Sequence, residues 1–282
     1  MSRDITSVLN GWYFQSDNTS VRIIAGDDGK DKIQLRLELG LLQMEFDGRP
    51  DGYRPEGAES WFDYYRQQQQ THDAQNPDST PFALSTEDCV RLQREGVQYY
   101  QRYLSFWHLR RFELCARDTR RNLQLFAFVR EHAQRDQDKL QFDQWRPYVT
   151  MMHAKAVATP LVELRQFAAA RQVIEAGIKA IDQFLTEYDQ QHRAEQCFEL
   201  LHLRKWLTEL DQHRNPAEPA EAVDELASLR AELERAIAEE RFEEAARLRD
   251  EIAQRNSDLK RQRESALPPD IDPMTSTEDA QQ

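Results

Sequence analysis

The stretch from residue 224 to residue 256 restricts the fold most, because its apolar residues repeat at helical spacing on two adjoining segments. The stripe of the first segment consists of Leu226, Leu229, Leu233 and Ile237. The second segment repeats the spacing with Phe242, Ala245, Ala246, Arg249 and Ile252. Steps of three and four place such residues on one face of a helix. With a tight turn at residues 239–241, the pattern predicts an antiparallel helical hairpin. About thirty-five residues bury too little surface to be stable alone, so the hairpin needs another surface to lie against.

The second helix and the end of the first resemble the UVR motif. The resemblance rests on Leu233, Ala236-Ile237, Phe242-Glu243, Ala245-Ala246, Leu248-Arg249-Asp250 and Ile252. The excision-repair subunits UvrB and UvrC, the McsA-type partners of Clp ATPases, and Clp ATPases themselves share this motif, which is a helical hairpin that mediates protein–protein contact. The resemblance implies a partner-binding surface formed by Phe242, Ala245, Ala246, Leu248, Arg249, Asp250 and Ile252. The alternative is a generic amphipathic hairpin, which alanine- and glutamate-rich helices also form.

The composition indicates an acidic chain with the length of one large domain or two small ones. Among 282 residues, 50 are acidic and 37 are basic, which gives a formal net charge of −13. Such a chain is a poor non-specific ligand for nucleic acid and for anionic membranes. No apolar run approaches the length of a transmembrane helix, and residues 1–4 lead into no signal-peptide core. The sequence therefore predicts a cytoplasmic protein without a membrane partner.

Residues 1–57 form a separate region in which a small β-hairpin is expected. After a β-prone run at residues 21–24 and a turn at residues 26–29, leucine and isoleucine alternate with polar residues from Ile33 to Leu41. That period of two indicates a half-buried strand. From Leu42 onwards the apolar residues occupy even-numbered instead of odd-numbered positions, as a bulge in the strand would produce. A helix is the competing interpretation, because Leu35, Leu39, Leu42 and Phe46 also share a helical face.

The turn sequence Gly-Arg-Pro-Asp-Gly at residues 48–52 closes this region. Gly48 or Gly52 is expected to adopt a positive φ angle, since tight turns of this kind place a glycine in the left-handed region. The strand followed by this turn resembles the amino-terminal part of uncharacterised bacterial UVR-motif proteins. That likeness implies no activity.

The composition of the chain also predicts the bounds of the remaining domains, the linker and the tail. Residues 58–214 are expected to form a helical body. One of its helices is expected to begin at Ser85, because Asp88, three residues later, supplies the acid that a capping box requires. Within this body, residues 148–164 and 167–178 have the spacing of one tetratricopeptide-like unit. The proline-containing stretch 215–223 is a linker, 224–263 is the UVR hairpin, and 264–282 is a disordered tail. The predicted fold class is therefore mainly α: a helical bundle with TPR-like hairpins, a small N-terminal β-hairpin and a C-terminal UVR hairpin.

An aromatic face and a basic cluster both lie between residues 89 and 133. The aromatic face comprises Val97, Tyr100, Tyr103, Leu104 and Trp107. Such a face can stack nucleic-acid bases, but the core of a helical bundle explains it better. The basic cluster consists of Arg110, Arg111, Arg117, Arg120 and Arg121. Arginine clusters can bind anions or nucleic acid, whereas neighbouring acids at helical spacing favour a salt-bridged face.

The sequence carries no motif for catalysis or metal binding. The three cysteines, Cys89, Cys115 and Cys197, are far apart, so they form neither a disulfide framework nor a CxxC zinc site; McsA-type proteins do carry paired zinc cysteines. The aspartates at residues 27–31 and 47–51 lack EF-hand spacing and are better explained as turn caps. Phosphate-binding loops and the common hydrolase and metalloprotease motifs are absent from the sequence. We therefore expect no catalytic residue, metal or cofactor.

Three functions remain open at this stage. The first is a non-catalytic adaptor that acts through the UVR hairpin on a protein partner, either a Clp-type chaperone–protease or an excision-repair subunit, or through self-association. The second is an accessory factor of nucleotide excision repair that contacts DNA through the arginine cluster. The third is an unrecognised enzyme with a pocket near Arg49 and Asp51. The motif favours the first.

The hairpin gives a direct test of its own packing. Phe242, Ala245 and Ile252 are expected to face the first helix, whereas Leu248, Arg249 and Asp250 extend beyond this seam towards a partner. Phe242→Ala should therefore unfold the hairpin, costing about 3–5 kcal/mol if the ring is fully buried. Circular dichroism at 222 nm on the full chain measures the lost helix. An unchanged spectrum and melting curve would show that Phe242 does not join the two helices.

Overall fold

The chain divides into two compact units, residues 1–213 and residues 214–282. The computed structural model describes residues 4–75 and 80–213, together with residues 229, 247, 248, 251, 252, 254 and 255. The expected linker at 215–223 and tail at 264–282 lie outside the described residues, as does most of the expected hairpin at 224–263. The fold is mainly α with a small antiparallel sheet near the N-terminus, which confirms the predicted fold class.

The N-terminal region contains a three-stranded antiparallel meander. Its strands are β1 Val21–Ala25, β2 Asp31–Leu37 and β3 Gly40–Glu45, in the order β1-β2-β3. The expectation of a bulged strand running through Leu39 is wrong, because β2 ends at Leu37 and Leu39 is 94% exposed in the two-residue turn that follows. Leu35 pairs with Leu42 and Ile33 with Met44. The change of parity therefore comes from antiparallel pairing, which sets odd-numbered residues of β2 beside even-numbered residues of β3.

The loop from residue 46 to residue 52, called the 46–52 loop below, follows β3. Gly48 has φ +64° and Gly52 has φ +71°, so the predicted need for left-handed backbone in this turn is confirmed at both ends. Glu45 N donates to the carbonyl oxygen of Pro50 (2.8 Å), and Gly52 N donates to that of Arg49 (2.9 Å). The loop thus folds back on the end of β3.

Helices make up the rest of the first unit. Their bounds are α1 Thr6–Leu9, α2 Trp61–Gln75, α3 Thr86–His108, α4 Phe112–His132, α5 Asp136–Asp143, α6 Arg146–Glu163, α7 Phe167–Glu187 and α8 Phe198–His213. Short 3-10 turns occupy Pro55–Gly57 and Gln191–Gln196. The side chains of Ser85 and Asp88 form the expected capping box at the start of α3.

The helices α6 and α7 form the antiparallel pair that the sequence placed at residues 148–164 and 167–178. Gly177 allows the close approach of neighbouring helices, because a Cβ atom there would lie 2.9 Å from Ala154 Cβ and 3.0 Å from Leu203 Cδ1. Pro160 lies inside α6, which ends three residues later at Glu163. The assignment of the pair as a tetratricopeptide-like unit stays a prediction.

Two hydrophobic clusters stabilise this unit. The larger cluster joins the sheet to the helices, since Ile33, Leu35 and Met44 belong to the same buried group as Tyr103 and Phe106 of α3. The smaller cluster lies among α2, α3, α4 and α5 and is rich in aromatic rings. The N-terminal sheet and the helical body therefore share one core. Among the described residues, no helix combines the length and apolar character that crossing a bilayer requires.

The positive φ of Gly52 predicts a cost for adding a side chain. Gly52→Ala should destabilise the protein by about 1–2 kcal/mol, because an L-residue in the left-handed region is strained. The added Cβ would also lie 3.3 Å from Glu45 Cγ. Urea denaturation followed by tryptophan fluorescence measures the change.

Gly40→Ala is the matched control, because Gly40 has no positive φ and a Cβ there meets only Ile5 Cδ1, at 3.8 Å. The control should change the stability much less than Gly52→Ala. Equal stability of the two variants would contradict the strained-turn argument.

Candidate functional site

The partner-binding residues inferred from the motif lie in the second unit, which is described in part. Leu248 and Ile252 are within the described residues, and both are helical. Phe242, Ala245, Ala246, Arg249 and Asp250 lie outside the described residues. The contacts expected of these five residues therefore stay predictions.

Leu248 does not occupy the position expected for it. Its side chain is 3% exposed, whereas we expected it to extend beyond the seam towards a partner. Leu248 and Ile252 are four residues apart, so they share a helical face. The charged neighbours Arg247 and Glu251 are exposed. Leu248 therefore belongs to the covered face of this helix, and its substitution is expected to affect folding as well as any partner contact.

The arginine cluster is mostly engaged in ion pairs within the first unit. Arg110, in the turn between α3 and α4, pairs with Glu163 of α6. Arg117 pairs with Asp47 at 2.6 Å and with Asp118 at 3.0 Å. Arg121 pairs with Glu95, and Arg111 and Arg120 are exposed. The cluster thus resembles the salt-bridged helix face more than a phosphate-binding surface, because most of its charge is already balanced.

A buried ion pair between α3 and α4 lies behind the arginine cluster. Arg102 and Asp118 are each 1% exposed. Arg102 Nε donates to Asp118 Oδ2 at 2.6 Å and Arg102 Nη2 donates to Asp118 Oδ1 at 3.0 Å, so the contact is bidentate. Arg102 Nη1 donates to the carbonyl oxygens of Glu45 (3.1 Å) and Gly48 (2.8 Å). The guanidinium group therefore joins two helices to the end of β3.

A second buried carboxylate lies two helical turns before Arg102 on α3. Glu95 is fully buried and accepts hydrogen bonds from Trp61 N (2.7 Å) and Phe62 N (3.1 Å). These are the first backbone N–H groups of α2, which have no partner inside their own helix. Arg121 balances the charge of Glu95 and lies 3.7 Å above the ring of Tyr99. We refer to Glu95, Arg102, Asp118 and Arg121 together as the charged cluster.

The charged cluster and its neighbours fix the 46–52 loop. Arg117 Nη2 donates to the carbonyl oxygen of Phe46 at 2.9 Å. The hydroxyl of Tyr99 donates to the carbonyl oxygen of Gly48 at 3.2 Å, and Gln98 Nε2 donates to Asp51 Oδ2 at 2.8 Å. Arg49 is paired with Asp51 at 3.0 Å. The residues suggested for an unrecognised enzyme pocket are thus part of a loop that side chains of α3 and α4 hold in place.

The sequence did not identify Glu95 and Arg102, although a signal for them exists. Leu92, Glu95, Tyr99, Arg102 and Phe106 follow one another at steps of three and four along α3, and all five are buried. A charged residue on the apolar stripe of a helix needs a partner of opposite charge. Asp118 and Arg121 lie on the next helix and supply those partners.

The cysteines do not have the properties of nucleophiles or metal ligands. Burial raises the pKa of the Cys89 and Cys115 thiols to about 12, so both stay protonated and unreactive at neutral pH. Burial also raises the pKa of Cys197. Within the described part of the chain, no group of three or more His, Cys, Asp or Glu side chains is arranged to hold a metal ion.

Comparison with known proteins gave one finding. Residues 224–254 match the family model of the UvrB/uvrC motif. This match confirms the resemblance inferred from residues 233–252, and it covers a small part of the 282-residue chain. No curated protein and no solved structure matches the chain.

The buried ion pair predicts a large stability effect at Asp118. Asp118→Asn keeps the size of the side chain but leaves the buried charge of Arg102 without its counter-ion. Breaking a buried pair from one side costs about 3–5 kcal/mol. Chemical denaturation at neutral pH measures the change in the free energy of unfolding.

Asp47→Asn is the matched control, because it makes the same chemical change in an 81% exposed partner of Arg117. An exposed ion pair contributes about 0–1 kcal/mol. If both variants lose the same stability, the Arg102–Asp118 pair does not hold the helices together.

Proposed function

We propose that this protein is a non-catalytic adaptor that binds a protein partner through its UVR motif. The partner is a Clp-type chaperone–protease or an excision-repair subunit, the two settings in which this motif occurs. The observation that carries the proposal is the match of residues 224–254 to the UvrB/uvrC motif. The first unit acts as the body that the motif attaches to the partner.

The division of the chain supports this assignment of roles. The matched residues lie within the second compact unit, residues 214–282, and the first unit has hydrophobic clusters of its own. A motif outside the main core can engage a partner without rearrangement of that core. Removal of the second unit should therefore abolish binding and leave the first unit folded.

The charge of the motif indicates the chemistry of the partner surface. Between residues 224 and 254 there are ten acidic and five basic residues. An acidic hairpin is repelled by phosphate groups and is attracted to a basic protein surface. The internal pairing of Arg110, Arg117 and Arg121 also disfavours the alternative of direct DNA contact.

A role in binding rather than catalysis agrees with the chemistry of the first unit. Its buried thiols stay protonated at neutral pH. Its charged cluster is occupied by the 46–52 loop and the start of α2, so these side chains have no free position for a substrate. We propose that the first unit serves as a scaffold.

The experiment compares the full chain with a truncation that ends at His213. Both proteins are titrated against the purified Clp ATPase and against the excision-repair subunits of the same cell. The full chain should bind one of these partners, and the truncation should bind none of them while melting cooperatively. Isothermal calorimetry measures binding, and circular dichroism checks folding.

A pair of charge reversals then locates the contact within the motif. Asp250→Lys should weaken binding by about tenfold or more, since it places a positive charge against the basic partner surface, and a central charged contact contributes roughly 1.4 kcal/mol or more. Asp258→Lys, the same change just outside the matched residues, is the control and should bind as the parent does. If the truncation binds the partner as tightly as the full chain, the UVR motif is not the binding element. Retention on DNA at low salt that falls steeply with added salt would instead support the DNA-contacting alternative.

A further inference from the structure

A pocket in the first unit has the features of a small-molecule site. It opens among α3, α4, α5 and α6 and has a volume of about 440 Å³. Pockets that bind small ligands have volumes of roughly 300–1,000 Å³ and are lined mainly by apolar and aromatic side chains. We call it the tyrosine pocket, after Tyr100, Tyr103 and Tyr148 in its wall.

The rim of the tyrosine pocket exposes apolar surface. Val97 is 53% exposed, Trp145 is 56% exposed and Tyr100 is 36% exposed, and all three line the pocket. Large apolar side chains that stay exposed around one concave surface are typical of a binding site. Gly96, inside α3, also lines the pocket, and a Cβ there would make only an ordinary contact of 3.4 Å with Leu125. The glycine therefore keeps the wall open without being required by packing.

The polar groups of the pocket determine the charge of its ligand. The lining contains the amides of Gln93, Gln101, Asn122 and Gln141, and it contains no Asp, Glu, Lys, Arg or His. A charged ligand would lose its hydration without gaining a counter-ion. The lining therefore suits a neutral molecule with an apolar body.

The hydroxyl of Tyr103 completes the site. Tyr103 is fully buried, and its hydroxyl has no hydrogen-bond partner among the described residues. Burial raises the pKa of Tyr148 to about 12. Tyr100 stands edge-on to Tyr103, with 5.5 Å between the ring centroids. Tyr103 belongs to the wall of the pocket.

We propose that the tyrosine pocket binds a neutral, ring-containing small molecule whose oxygen acceptor pairs with the Tyr103 hydroxyl. The ring system lies against Val97 and Trp145, and the partly exposed amides of Gln93, Gln101 and Gln141 hydrogen-bond the polar edge. The unpaired hydroxyl gains the partner that a buried polar group requires. This site belongs to the first unit and is independent of the UVR motif.

The test uses Nile red, which is neutral, flat and aromatic and carries a carbonyl acceptor. Its fluorescence should rise on titration with the full-length protein and saturate at one dye per chain. Anilinonaphthalene sulfonate, a fluorescent dye with a negative charge, should bind at least about tenfold more weakly, because its sulfonate has no cation in the pocket. Absence of saturable Nile red binding, or equal binding of both dyes, would overturn the proposal.

Two substitutions and a control locate the dye. Val97→Glu places a charge at the rim and should weaken Nile red binding by about tenfold or more. Val90→Glu makes the same change on α3, at a 37% exposed residue outside the pocket lining, and should leave binding unchanged. Equal binding to both variants would place the dye elsewhere and overturn the proposal.

Tyr103→Phe separates a role in binding from a role in folding. It should weaken Nile red binding by about two- to tenfold, as the loss of one hydrogen bond predicts. The melting temperature of the unliganded variant should stay the same or rise, because the removed hydroxyl has no partner. A variant that binds Nile red as the parent does, or that melts at a clearly lower temperature without ligand, would overturn the assigned role of the hydroxyl.

Discussion

The ion pair between Arg102 and Asp118 is the contact on which the arrangement of the first unit depends. Both side chains are removed from water, so each charge is tolerated only because the other is present. The remaining donors of Arg102 reach the carbonyl oxygens at the end of β3. One guanidinium group thus sets the distance between α3 and α4 and holds the sheet on that helix pair.

The requirement that a buried charge has a counter-ion also explains the contacts around the Arg102–Asp118 pair. Glu95, two helical turns before Arg102, accepts hydrogen bonds from the first N–H groups of α2, and Arg121 balances its charge. Two buried carboxylates and two arginines therefore attach two separate segments, the 46–52 loop and α2, to the α3–α4 pair. Apolar packing alone is not directional, whereas these hydrogen bonds specify which carbonyl and which N–H group meet the helices.

Local patterns in the sequence predict where individual helices begin and pair, but they do not predict which side chains meet between distant helices. The start of α3 follows from Ser85 and Asp88, which are three residues apart, and the α6–α7 pair follows from helical spacing. The spacing along α3 marks Glu95 and Arg102 as buried, but their partners could not be predicted, because those lie on another helix. For Leu248 the helical spacing was available, and its four-residue distance from Ile252 would have placed it on the covered face. The open rim of the tyrosine pocket depends on how α3, α5 and α6 meet, which a single sequence does not specify.

The sequence separation of the loop contacts has a consequence for biosynthesis. Phe46 lies 71 residues before Arg117, and Gly48 lies 54 residues before Arg102. The ribosome makes the chain from its N-terminus, so the sheet leaves the exit tunnel well before the helices that bind its last carbonyl groups. Until Asp118 has been translated, the charge of Arg102 has no counter-ion and the apolar face of the sheet has no cover. The nascent sheet therefore has to be protected from aggregation until α4 has left the ribosome.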